Sequence, residues 1–339
     1  MSTPIAAPSA ALPAKRKLSW PKCLAIAALA VLVMLVGAEF FARYYLGLGD
    51  PPLSITDPQI EYLFAPNQHC RRFGNTITYN KYSMRATPDF PAKKTDPNEL
   101  RIMVLGDSVI NGGAQTDDSQ LATFLLQRSL QQKLHSPVLV GNISAGSWGP
   151  PNLLAYVQRY GLFDADIVVL VLSSHDYADV PTFAPTVGVS PSFPDHKPLT
   201  AIEEGFTRYI LPRVTRAPAP TPNEGPDSST APAKDVDASL DAVARLIELA
   251  RSSGAAVVVA LHPTQNEIRN GLQPGHDRIA TVAREANALI IELLATKADL
   301  ETVADWYRDD IHPSSKGQEV IAGALSAKLA AASPQEQPE

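Results

Sequence analysis

Hydrophobic positions in this chain fall into one long block near the N-terminus and a series of short ones further on. The long block runs from residue 23 to 38 and, with Phe40, Phe41 and Ala42, reaches about 20 residues, enough for a helix to cross a bilayer even with Glu39 near its end. Lys15, Arg16, Lys17 and Lys22 stand before it and few cations directly after it, which places the N-terminus in the cytosol and the rest of the chain outside. A cleaved signal peptide is the competing reading, because Val36, Gly37 and Ala38 resemble a small-residue cleavage site. The apolar run continues past that site, which favours an uncleaved, single-pass anchor.

Beyond residue 100, short continuous apolar runs alternate with stretches of helical period. Residues 102–105, 138–143, 167–172, 255–261 and 289–294 are runs of the kind that strands buried on both faces require. Residues 120–134, 152–160, 236–251, 279–288 and 320–331 repeat apolar side chains at helical spacing. Strands alternating with helices predict parallel βαβ units with right-handed crossovers. The expected fold is α/β, a three-layer, doubly wound parallel sheet of about five strands with an N-terminal transmembrane helix.

Two stretches interrupt this pattern. Residues 50–100 are punctuated by proline and hold short alternations such as Thr76, Ile77, Thr78 and Tyr79, which predict a stalk and a β-rich cover over the sheet edge. Between 177 and 234 the periodicity lapses and prolines gather, and a loop this long is either functional or disordered. Residues 180–216 follow the third strand directly, where Phe183, Phe193, Phe206 and Tyr209 can wall a ligand site, although pinning the insertion is the commoner role for any one of them. Residues 217–234 are expected to be mobile. The chain then divides into a cytosolic tail (1–22), the anchor (23–43), stalk and cover (44–100), an α/β domain (101–332) with its proline-rich insertion (177–234), and a final tail (333–339).

Composition narrows the function. A chain of 339 residues, 45% of them hydrophobic, can bury one large core. A net charge of −6, with no long basic stretch interleaved with aromatics, gives no support for nucleic-acid binding. Cys23 and Cys70 are the only cysteines, and neither an intrachain disulfide nor a zinc site is expected from them. Nothing reads as a phosphate loop or a dinucleotide fingerprint, so no cofactor and no metal are expected.

The candidate chemistry sits at the two ends of the α/β region. The first apolar run breaks at Gly106 and delivers Asp107 and Ser108 at its end. A serine hydroxyl is a poor nucleophile until a base takes its proton, and the base needs a third group to fix its tautomer. Asp309 and His312 stand three apart on a turn ahead of the last helical stretch, so the carboxylate can reach Nδ1 and leave Nε2 facing Ser108. Singly, each motif is an ordinary turn or cap. Together, in this order, they resemble the SGNH or GDSL hydrolases, whose serine follows the first strand and whose Asp-x-x-His motif precedes the last helix.

The resemblance implies a flavodoxin-like sheet and an oxyanion hole. Gly146 is the counterpart of the family's oxyanion glycine, while Ser173, Ser174, His175 and Asp176 stand where that family carries Gly-x-Asn-Asp. His175 would then replace the asparagine donor through a ring N–H. Residues 80–85 look like the Asn-x-x-Gly-x-Arg segment of anchored members, with Ser83 in place of the glycine. Arg85 is a candidate ligand for an anionic group and Trp148 for a sugar ring, with a structural role the commoner fate of each. His262 either lines the pocket or is a satisfied structural histidine.

The expectation is an exported serine esterase or acyltransferase, anchored in the membrane with its main domain extracytoplasmic. Its triad would be Ser108, His312 and Asp309, and its substrate O-acyl esters of a polysaccharide, O-acetyl foremost. Partner proteins of polysaccharide synthesis or acylation fit that setting. A lysophospholipase or thioesterase with an apolar acyl tunnel is one alternative. A non-catalytic glycan-binding or scaffold component of an exopolysaccharide export system is the other, kept open by the His175 departure.

Overall fold

A computed structural model of the chain describes residues 19–215, 231–293 and 300–331. Residues 1–18 of the expected tail 1–22, the expected tail 333–339 with residue 332 before it, the centre of the insertion (216–230) and residues 294–299, which include the end of the strand expected at 289–294, lie outside the described residues. An apolar helix, Trp20–Phe40, opens the described chain and continues through Phe41–Tyr45 in a wider turn. It is long and apolar enough to cross a membrane, with a mean hydropathy of 2.5 and none of its most apolar window buried.

Two antiparallel hairpins follow, β1 (Ser54–Asp57) with β2 (Glu61–Phe64) and β3 (Gln68–Arg72) with β4 (Asn75–Tyr79). Ser83 then adopts φ +64°, a conformation natural to glycine and uncommon for other residues, at the position where the resembling pattern carries glycine. After it the chain runs along the sheet: Arg85 N–H donates to Asn142 O at 3.1 Å, and Asn142 N–H donates to Thr87 Oγ1 at 3.1 Å. The outer edge of the sheet is thereby covered, which removes a free row of backbone groups.

Five strands form that sheet: β5 (Leu100–Gly106), β6 (Val138–Ser144), β7 (Ile167–Ser173), β8 (Ala256–His262) and β9 (Leu289–Glu292). All pair in parallel, in the order β6-β5-β7-β8-β9. Because side chains alternate across a strand, Met103, Leu105, Val168, Leu170 and Val259 face one side, against the helices Pro150–Tyr160, Ala233–Ser252 and Pro274–Glu285. Ile102, Val104, Val169, Val171 and Val258 face the other, against Ala122–Leu134 and Ser315–Ala331. This is the three-layer doubly wound architecture, and its strand order reverses between β5 and β7, where such sheets open a crevice at their carboxyl edge.

Element bounds differ from the periodicity in an instructive way. The helices expected from residues 152 and 279 begin at Pro150 and Pro274, because proline costs no hydrogen bond in a first turn and its fixed φ suits one. Lys234, placed by composition in a mobile stretch, belongs to the first turn of Ala233–Ser252.

Candidate active site

All seven residues of β5 are buried, and the chain leaves the sheet at its carboxyl edge through Asp107. The Asp107 carboxylate accepts the N–H of Val109 at 2.8 Å and caps a one-turn helix, Ser108–Asn111. Gly112 ends that turn at φ +71°, where a Cβ would come within 2.5 Å of Leu121, so the reversal needs glycine. Gln318, buried in the last helix, donates to Val109 O at 2.8 Å and accepts the N–H of Ala122 at 2.8 Å. The serine turn is thus held to the C-terminal helix whose preceding loop brings the histidine.

Asp309 shapes that loop. One of its oxygens accepts the N–H of Ile311 at 3.1 Å and of His312 at 2.8 Å, and the same carboxylate accepts His312 Nδ1 at 3.0 and 2.8 Å. With Nδ1–H committed to Asp309, Nε2 is left as an acceptor, and it lies 3.0 Å from Ser108 Oγ. Behind the loop, His262 Nε2 donates to Ile311 O at 2.9 Å and Arg308 N–H donates to His312 O at 2.8 Å. His262 is therefore the structural histidine of the two readings. Burial opposes ionisation of Asp309, yet hydrogen bonds from His312 prevail and hold its carboxyl below the usual carboxylate range. A carboxylate favoured in its charged form is what an imidazolium at His312 needs beside it.

His175 is the second residue of the turn after β7, Ser174–Tyr177, with Nε2 at 3.5 Å from Asp107 Oδ2 and 3.8 Å from Asp176 Oδ1. Burial works against its charge, but Asp176 and Asp107 outweigh burial and push the imidazole up to about 10. Burial pushes Asp176 the other way, up to about 8, and Asp179 up to about 6. For Asp107, burial is outweighed by His175, which holds the carboxyl below its usual range. The charged pair in this buried cluster is His175 with Asp107, so the ring supports the turn that carries Ser108. This corrects the expectation of His175 as a stand-in for the asparagine donor: its Nε2 is directed at carboxylates, and the ring does not line the cavity at Ser108.

For Arg85 and Trp148 the structure shows the structural one of the two readings. Arg85 is fully buried and donates to Asp118 Oδ1 at 2.8 Å, Asn111 O at 3.0 Å, Gly113 O at 2.8 Å and Thr116 O at 2.8 Å. Four of its five N–H groups are thus donated to the serine turn and the loop after it, and the guanidinium is not among the groups that line the cavity at Ser108. Trp148 is buried behind the cavity wall, where its Nε1–H donates to Tyr62 O at 3.1 Å.

A cavity of about 400 Å³ is lined by Ser108 and His312 together with Gly146 and Ser147. Tyr62, Phe64, Ile77 and Tyr79 of the hairpins form much of its wall, and Phe193 and Arg208 of the insertion complete it. Phe193 meets Tyr62 edge to face at 4.8 Å, and Phe64 stacks on Tyr79 at 4.3 Å. The Tyr62 hydroxyl donates to Gly146 O at 2.5 Å and so fixes the loop after β6. That loop also needs Gly149, where a Cβ would lie 2.2 Å from Asp179 O.

Residues 104–320 match the GDSL-like Lipase/Acylhydrolase family. The chain belongs to that family. No curated protein matches it. Among solved structures it is similar to a variant of Axe2, an acetyl-xylooligosaccharide esterase from Geobacillus Stearmophilus, at 14% identity and a TM-score of 0.43 over 68% of this chain and 94% of that one. TesA is similar at 15% identity and a TM-score of 0.42, over 68% of this chain and 97% of that one. The esterase EstA from Pseudoalteromonas sp. is similar at 13% identity and a TM-score of 0.41, over 69% of this chain and all 100% of that one.

In this GDSL-like chain the structure brings together Ser108, His312, Asp309 and the Gly146 loop, all four of which the sequence motifs single out. The contribution of the cover was missed. Tyr62 with Phe64, and Ile77 with Tyr79, are pairs two apart on strands that turn toward one cavity, so a period of two in apolar side chains was the available signal. Of the insertion's aromatics, Phe193 lines the cavity, Tyr209 packs against Phe73 and accepts from Arg72, and Phe183 and Phe206 are exposed.

Proposed function

We propose that the protein is an exported, membrane-anchored serine esterase that transfers the acyl group of an O-acyl ester to Ser108 and then to water or a sugar hydroxyl. The observation that carries this reading is the relay Asp309 to His312 Nδ1 at 2.8 Å and His312 Nε2 to Ser108 Oγ at 3.0 Å. Ser108 Oγ attacks the ester carbonyl as its proton passes to His312 Nε2, and Asp309 stabilises the imidazolium. The backbone N–H groups of Ser108 and Gly146 would receive the oxyanion. Collapse of the tetrahedral intermediate breaks the ester C–O bond, and His312 returns the proton to the leaving alkoxide. A water or sugar hydroxyl then repeats the sequence on the acyl-enzyme, with His312 again as base.

The leading substrate is an O-acetylated polysaccharide, in keeping with an extracytoplasmic domain and with a cavity walled by Tyr62, Phe64 and Phe193, whose ring faces can pack on a sugar. The same cavity favours a second reading. Ile77, Ala114 and Pro52 add apolar side chains to its wall, and about 400 Å³ is more than an acetyl group fills, which suits a longer acyl chain. Turnover of acetylated oligosaccharides and of 4-nitrophenyl esters from acetyl to decanoyl tests both. Hydrolysis that disappears in Ser108→Ala is expected. Glycan binding without turnover of any ester would overturn the esterase reading.

A further inference from the structure

The end of the apolar helix is bonded to the insertion that walls the cavity. Glu39 Oε1 accepts the N–H of Ala201 at 2.9 Å and Oε2 that of Ile202 at 3.0 Å, while Arg43 Nη2 donates to the same carboxylate at 2.8 Å. Those N–H groups open the helix Ala201–Glu204, which runs on through residues 205–215. The start of this segment is therefore fixed at the depth of residue 39. From Trp20 to Glu39 the helix rises about 29 Å, the thickness of a hydrocarbon core. Glu39 then marks the outer boundary, and the stacked pairs Phe40–Tyr44 (5.5 Å) and Phe41–Tyr45 (5.0 Å) supply the aromatic residues typical of that level.

Past this start the insertion carries an apolar row that is exposed among the described residues. Phe206, Ile210 and Val214 recur every fourth residue and are 50%, 51% and 73% exposed. Arg208 and Arg213 lie between them, the pairing of apolar stripe and cations that binds helices to membrane surfaces. An apolar stripe of this kind calls for a partner, and the membrane boundary fixed by Glu39 identifies it. We infer that residues 201–215 lie in the outer membrane–water interface, with Phe206, Ile210 and Val214 turned into the lipid. Arg208 also lines the cavity at Ser108, so that wall stands at headgroup level and the ester pocket opens at the membrane surface. The inference rests on the reading of residues 20–45 as an uncleaved anchor.

Nitroxide depth measurements on the full-length chain in nanodiscs of phosphatidylethanolamine and phosphatidylglycerol test it. Single labels are placed by Ile210→Cys, Val214→Cys, Leu32→Cys in the span, and Ser252→Cys at the end of a helix of the sheet domain, all in a Cys23→Ser background with buried Cys70 retained. Collision with oxygen is expected to exceed collision with a water-soluble nickel chelate by roughly threefold or more at positions 32, 210 and 214, and to fall below it at 252. Nickel access at 210 and 214 with position 32 in hydrocarbon would overturn the inference and leave the anchor standing. Low access to both reagents at 210 and 214 would mean that protein covers the stripe, and would overturn it equally. Nickel access at position 32 would overturn the anchor reading itself, and the inference with it.

Discussion

Replacing Arg85 with methionine separates a structural arginine from a substrate ligand. Methionine keeps most of the buried stem but removes four donated hydrogen bonds, one to Asp118 and three to carbonyls of residues 111, 113 and 116. The Arg85 side chain is fully buried and that of Asp118 only 16% exposed, so breaking the pair from one side should cost about 3–5 kcal/mol. The carbonyls add less than the ~1–3 kcal/mol of a fully orphaned group, because each has a second lone pair and the loop can relax toward water. A loss of about 4 kcal/mol in unfolding free energy, read from urea curves, is therefore expected. The same loop ends the helix that presents Ser108, so ester turnover should fall by about tenfold or more in the folded variant. A stability loss under about 1 kcal/mol together with unchanged turnover would refute the buttress reasoning. Unchanged stability with turnover lost only on anionic esters would restore Arg85 as a substrate ligand.

Other perturbations test neighbouring parts of the account. His175 is held protonated up to about 10, against about 6.5 when unfolded, so its contribution to stability is complete below the unfolded value and is lost as pH rises toward 10. Thermal unfolding of His175→Gln should show a flatter alkaline limb than the parent, and identical limbs would contradict the His175 assignment. For Asp57, burial is outweighed by the Arg159 guanidinium, which keeps the carboxyl below its usual range. Its contribution is present above pH about 3.9 and lost as pH falls through the lowered native value, so Asp57→Asn should unfold with less dependence on acid. Ala114→Phe projects a ring into the cavity wall and should depress turnover of decanoyl esters at least about tenfold more than that of acetyl esters; equal loss on both would place the acyl group elsewhere.

How much was legible follows from how locally each feature is encoded. The five parallel strands were readable because a strand buried on both faces must be a continuous apolar run, and 102–105 and 167–172 are little else. Ser108, Asp309 and His312 were readable because each is held by partners within three residues: Asp107 caps the serine turn, and Asp309 bonds the histidine. His175 was misjudged because its environment is assembled from β5 and β7, and no spacing reports that Asp107 faces it. For Arg85 and Trp148 a structural role was the commoner expectation, but their partners were not legible, since the groups that accept from them lie between 26 and 86 residues away. The apolar row at 206, 210 and 214 lies inside the proline-rich insertion and is interrupted by Pro212, so its helical period was not singled out.

The central claim is that His312 and Asp309 activate Ser108. The most direct test is to expose the full-length chain in detergent to a fluorophosphonate, map the adduct by mass spectrometry, and repeat with His312→Ala. Covalent phosphonylation of Ser108 in the parent and its loss in the folded variant is the predicted result. A folded parent that leaves Ser108 unmodified, or a His312→Ala chain labelled at the parent's rate, would contradict it.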